Sequence, residues 1–220
     1  MHRRTLENKT LAFGHAGKLY KNSFVMYDKD TNSEWVHVTG ECAKGIYKGK
    51  KLEFLPSKVM RWGEWKKLHP DTLVMKGQGR DGFMGTFIGT TGRAALGFHL
   101  RLGIASKLYS FSILESHKVV HDTWKGIPLV IAFSSSAGAA AAWDARADGQ
   151  TLRFELRQEI DAKMLLIDAQ TGSVWDPMTG RCVEGRLNGK NLTPIVGTPI
   201  LLSRWRNFYP DGEVFGEVKR

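Results

Sequence analysis

Side chains able to serve as nucleophile, base, orienting acid or ligand-binding group collect in one stretch of the chain. Tyr109, His117, Asp122 and the run Ser134, Ser135 and Ser136 lie between residues 99 and 136, with His99 and His121 among them. A serine, a histidine and an aspartate in contact would supply the three roles of acyl transfer. The same set with Tyr109 could instead hold a small polar ligand, since histidine titrates near neutrality and serves as acid, base or ligand. FSSSAGA departs from the G-x-S-x-G elbow of serine hydrolases, so a bland reading stands beside the catalytic one. In it, these groups satisfy one another and the backbone at strand ends. His117 and His121 are spaced i, i+4, which on a helix would aim both at one metal. Val119, Val120 and Thr123 around them favour a strand, where that spacing separates them by about 13 Å at ~3.3 Å per residue. No metal is expected from the pair.

These groups need strands and turns to position them, and the chain writes part of that framework twice. DKDTNSEWVHVTGECAKGIYKGKKL (28–52) and DAQTGSVWDPMTGRCVEGRLNGKNL (168–192) align without a gap at an offset of 140 and share Asp, Thr, Ser, Trp, Thr, Gly, Cys, Gly, Gly, Lys and Leu. Trp65 and Trp205 keep the same spacing, as do Pro70 and Pro210. Asp, Thr, Asn or Gly, and Ser at 28–33 and 168–173 predict turns in which short side chains bond local amides. Glycines at 40, 45 and 49, and at 180, 185 and 189, divide the remainder of each repeat into short strands. WGEWKKLHP and SRWRNFYP predict one short helix per copy, near 62–69 and 203–209, stopped by proline. IASKLYSFSIL (104–114) and SHKVVHDTWKGIPLVIAF (116–133) read as strands joined by tight turns, with Thr123 to Gly126 predicting a hairpin turn before IPLVIAF, and AGAAAAW (137–143) suits either a helix or a tightly packed strand. The chain therefore reads as mainly β, sandwich or barrel-like with a few short helices. Its plan is one domain of two related halves: a partial first copy (1–76), a glycine-rich connection (77–98) and a complete second copy (99–220).

The repeated tryptophans, Trp35, Trp65, Trp175 and Trp205, are expected to anchor cores, because aromatics dominate the burial energy of small β units. Cys42 and Cys182, the only cysteines, occupy the same place in the two copies. They can build neither a zinc pattern nor a disulfide framework and are expected to be small buried apolar residues. Gly77, Gly79 and Gly82 spell G-x-G-x-x-G, but further glycines come after them and no acidic residue lies in 96–114, so a dinucleotide site is not expected and no cofactor is implied. The net charge is +10, with the basic excess in the first copy, where Lys44, Lys48, Lys50 and Lys51 cluster. The second copy has Glu184, Asn188, Lys190 and Asn191 there, so a solvated face is favoured over an anion-binding or nucleic-acid surface. No apolar run reaches the roughly 20 residues of a spanning helix, and no signal sequence opens the chain.

KLYSFSILESHKVVHDTWKGIPLVIAF, DGQTLRF, the D-x-x-T-x-S-x-W element, T-G and W-x-x-x-x-P-D together resemble the bacterial and archaeal domain-of-unknown-function family 3179, over most of the chain. Tyr109, His117, Asp122, Gly126 and Pro128 keep the order of that family's strand, His, Asp and Gly-x-Pro signals. Where the family has a Cys-Pro segment this chain has FSSSAGAA, so a metal or redox role resting on those cysteines is not implied. The offset also implies a chain shortened at its N-terminus, in which case an export signal could precede it in a longer form. The resemblance assigns no activity, partner or location. A binding or structural module is the leading expectation, a hydrolase using Tyr109, His117, Asp122 and the serines the second, and an anion or nucleic-acid binder the third.

Overall fold

The computed structural model describes residues 1–74, 95–160 and 163–217. The glycine motif at 77–82 lies outside them, and the expected connection ends early, because a strand already runs over Leu96–Leu102. The protein is mainly β, with three short helices among the described residues: Trp62–Leu68, Phe111–His117 and Leu202–Phe208.

Each copy folds into the same four-stranded antiparallel sheet. In the first, Phe13–Tyr20, Ser23–Asp28, Glu34–Val36 and Cys42–Lys44 pair in chain order. In the second, Phe154–Ile160, Lys163–Asp168, Val174–Asp176 and Arg181–Glu184 do the same. Asp28 and Asp168 close the predicted turns identically. Thr31 N and Thr171 N donate to the aspartate Oδ1 (2.7 and 2.6 Å), and Trp35 Nε1 and Trp175 Nε1 donate to Oδ2 (3.0 and 2.9 Å). A buried carboxylate is tolerated only with such partners, and both aspartates are fully buried. Cys42 and Cys182 are buried and form no disulfide; their thiols donate to Lys44 O (3.2 Å) and Glu184 O (3.4 Å), and burial pushes both above the usual thiol range. The edge strands differ. Three residues bulge between His15 and Leu19 against one on the partner, whereas one bulges between Leu156 and Gln158 against none. One added residue turns the offset of 140 into 141 upstream of the bulge (154 − 13 = 141; 160 − 20 = 140).

Upstream of that bulge the equivalence reveals a shared socket. His2 bridges Phe54 as Trp143 bridges Pro194, and the His2 and Trp143 rings lie over Gly40 and Gly180. A Cβ at either glycine would approach the ring to 2.6 Å, and both glycines hold positive φ (69° and 74°), so only glycine fits beneath the ring.

Between the two copies in the chain comes a three-stranded sheet: Val119–Trp124, Ile127–Ser134 and Ala139–Asp144. Lys125 and Gly126, both at positive φ, make the predicted two-residue turn. One face of the sheet, with Val130, Ala132, Ala141 and Trp143, packs against Phe154, Met164, Leu166 and Trp175 of the second-copy sheet. The other, with Val120, Leu129, Ile131 and Phe133, packs against Phe98, Leu100, Tyr109 and Leu114. Burial on both faces explains why IPLVIAF is an unbroken apolar run, and it resolves AGAAAAW as strand. A fourth sheet orders Gly197–Leu201, Leu96–Leu102, Ala105–Ser110 and Glu213–Val214.

Two expectations are corrected. IASKLYSFSIL reads as strand, but the strand stops at Ser110, whose hydroxyl accepts from Ile113 N (3.3 Å) and starts the 111–117 helix. Phe111 and Leu114, three apart, face the core from it. Trp35, Trp175 and Trp205 are fully buried, but Trp65 is only half-buried. The 96–110 hairpin covers the Trp205 helix, and among the described residues nothing equivalent covers the Trp65 helix, none of whose residues is buried.

Candidate functional site

The structure divides the sequence-derived set into three places. Tyr109, on the 105–110 strand, donates its hydroxyl to Asp122 Oδ2 at 2.6 Å across the packed sheets, and Lys107 Nζ reaches the same oxygen at 2.5 Å. The Lys107 and Asp122 side chains are largely buried, and the ammonium also lies 5.8 and 5.7 Å from the Tyr109 and Phe215 ring centres. Burial first, then the bond to Asp122, pushes the Tyr109 hydroxyl far above the usual phenol range. It therefore stays a proton donor and cannot act as a base near neutrality. A polar hollow of about 310 Å³ opens beside this trio, lined also by Arg206, Glu213 and Glu217. Arg206 pairs with Glu217, and Glu213 with Lys125. The hollow's charges are spent on one another.

The serines lie elsewhere. Asp122 pairs with Leu129, whereas Ser134 pairs with Ala139 at the far end of the same strand. Five residues separate the two levels, about 16 Å at ~3.3 Å per residue. There Ser134 Oγ (2.9 Å), Ser136 N (3.2 Å) and Ser136 Oγ (3.2 Å) all donate to Glu159 Oε1, and Lys118 Nζ donates to Ser135 Oγ. His117 is exposed at the helix end, its Nδ1 2.9 Å from both Ile113 O and Ser116 Oγ. The serine, histidine and aspartate thus do not form a catalytic arrangement: strand register sets the serines apart from Asp122, and the 111–117 helix leaves His117 exposed at its end. His117 ends that helix and His121 lies on the next strand, where its Nε2 accepts from Phe154 N (2.9 Å).

Sequence reasoning passed over a cleft between the copies. The 56–61 arm of the first copy crosses the second, tied at its ends by Ser57 N to Gly197 O (3.3 Å) and Arg61 N to Ala137 O (2.9 Å). Between these ties lies a cavity of about 320 Å³ walled by Trp65, Phe98, Ala140, Ala141, Trp143 and Ile195. The alanines make the room: larger side chains there would fill it. At its rim Lys58 donates to Met178 O, with its nitrogen 5.7 Å from the Trp143 ring centre. Lys58 is an exposed residue, yet desolvation of its amine holds its pKa below the usual lysine range, with Asp176 pulling the other way. The signal for this site was the run of alanines, which as a strand cannot fill its own side of the core.

Among the described residues, no helix is long and apolar enough to cross a membrane and no group of three or more histidine, cysteine or acidic side chains is placed to hold a metal ion. No curated protein and no solved structure gives a significant match. The model of one family, described as a protein of unknown function (DUF3179), matches residues 1–83 and 98–220. With the match spanning both copies and the sheets that join them, the chain belongs to the DUF3179 family.

Proposed function

We propose that this chain is a non-catalytic binding module in which the two copies act as one unit and a small apolar molecule sits between the 56–65 arm and the Ala139–Asp144 strand. The observation that carries this reading is the cleft. It falls within the range of small-molecule sites, roughly 300–1,000 Å³, and pairs mostly apolar walls with a few polar groups, the usual composition of such sites. A hydrolase at the Tyr109 and Asp122 trio has less support, because the serines are remote and the trio is internally satisfied. A nucleic-acid surface on the first copy has less as well, since Lys50 and Lys51 are paired with Glu7 and Glu41.

Two tryptophans in the walls provide the assay. Titration with 1-octanol or 2-phenylethanol is expected to shift tryptophan emission saturably. Trp65→Ala, at a half-buried position, should weaken the titration by about tenfold, the scale of losing one aromatic contact of ~1.5 kcal/mol, with far-UV circular dichroism unchanged. Absence of saturable binding to the whole apolar series would overturn the reading.

A further inference from the structure

Lys58 is the one ionisable side chain lining the cleft; the lining also includes Met1, whose α-ammonium is directed to Ser57 Oγ (3.4 Å). Its ammonium carries three N–H bonds, of which Met178 O takes one. Among the described residues no carboxylate forms an ion pair with it. Asp176 acts on it only at a distance. An ammonium stripped of part of its water, set against an aromatic face and lacking an anionic partner, is an incomplete arrangement. The rest of the wall cannot complete it, being indole, phenyl and aliphatic side chains apart from Ser57. The neighbouring charges do not reverse the sign. Arg61, on the same arm, donates to Ser136 O, and Arg101, three residues along the strand from the cleft residue Phe98, lies 4.2 Å over the Phe54 ring.

We infer that the ligand of this cleft is an amphipathic anion, with a carboxylate or similar head at Lys58 and an apolar body along Trp65, Trp143 and the alanine strand. This rests on the cleft being the binding site. A charge-assisted bond from Lys58 would contribute only for an anionic head, whereas wall contacts contribute for any head on the same chain. Head preference and body affinity are therefore separable.

Octanoate, 1-octanol and octylamine share a chain and differ in head, so their affinities for the full chain at neutral pH and low salt test the inference by calorimetry or tryptophan emission. Octanoate should bind about tenfold or more tightly than octanol, as for a hydrogen bond to a charged group, and octylamine more weakly than either. Lys58→Met should bring octanoate down to the level of octanol while leaving octanol unchanged, which also shows that the variant is folded. Lys58→Arg should keep most of the preference. Equal binding of octanoate and octanol to the wild type, or a preference that survives Lys58→Met, overturns the anionic head and leaves the cleft standing. If none of the three binds, the cleft reading itself has failed and the head-group inference falls with it.

Discussion

Trp175→Ala will cost about 3–5 kcal/mol of folding stability, the scale of deleting a large aromatic from a closed core. The indole is fully buried, meets Phe154 edge-on at 5.8 Å and packs in the cluster joining the second-copy sheet to the central one. Its loss does more than open a cavity. Trp175 Nε1 donates to Asp168, and a fully buried carboxylate that loses a donor bears the desolvation penalty unrelieved. Trp175→Phe separates the two effects: it keeps most of the ring volume and should cost about 1–3 kcal/mol through the missing donor. Urea midpoints of the three proteins give the comparison. A Trp175→Phe variant as stable as the wild type would show that the aspartate does not depend on the indole.

Acidification from pH 7 to pH 5 will remove about 2 kcal/mol of stability through His99 alone. Burial, with Arg101 adding to it, lowers the His99 pKa to about 3, and both ring nitrogens are buried without a hydrogen-bond partner. The ring is enclosed by Tyr209 at 4.2 Å and Trp205 at 6.0 Å. In the unfolded chain the imidazole titrates near its ordinary value of 6.5. The unfolded state therefore binds a proton that the folded state refuses. The contribution is intact above pH 6.5 and is lost as pH falls toward 3. Carboxylates titrate lower, so the interval from 7 to 5 isolates histidines. His99→Phe should flatten that part of the profile while keeping or raising stability at pH 7.5, because it removes two unpartnered nitrogens. Equal slopes for wild type and variant in paired denaturation curves would rule this out.

The sequence carried much of the framework because the copied features are local. The Asp28 and Asp168 turns, the Lys125–Gly126 hairpin and the two proline-stopped helices each depend on residues within a few positions of one another. Even the run of alanines was half legible: propensity left helix and strand open, and two-sided burial decided for strand. The 111–117 helix was hidden because Phe111, Ser112 and Ile113 continue from a strand without a break, and the signal is a single Ser110 cap. Site geometry was harder to read for a different reason. Tyr109 and Asp122 meet because two sheets pack, and Ser134 to Ser136 miss them because strand register carries the serines to the other end. The cleft joins residues near 57, 65, 98, 141 and 195, and apart from the run of alanines no local pattern announces a space.

The ring over Gly40 is an imidazole and the ring over Gly180 an indole, and the difference gives the duplicated molecule a direction. His2 has its pKa lowered to about 4, with burial the largest cause, and burial lowers His37 beside it as well. Their counterparts, Trp143 and Pro177, have no proton to gain. Two sockets built on one plan thus answer acid differently: mild acid should loosen the first directly at His2 and His37, whereas it reaches the second copy only outside its socket, through His99 and His121. Hydrogen exchange at pH 5 should then show the amides of residues 11–52 opening ahead of their partners at 152–192. Simultaneous opening would mean that the shared packing outweighs the chemical asymmetry.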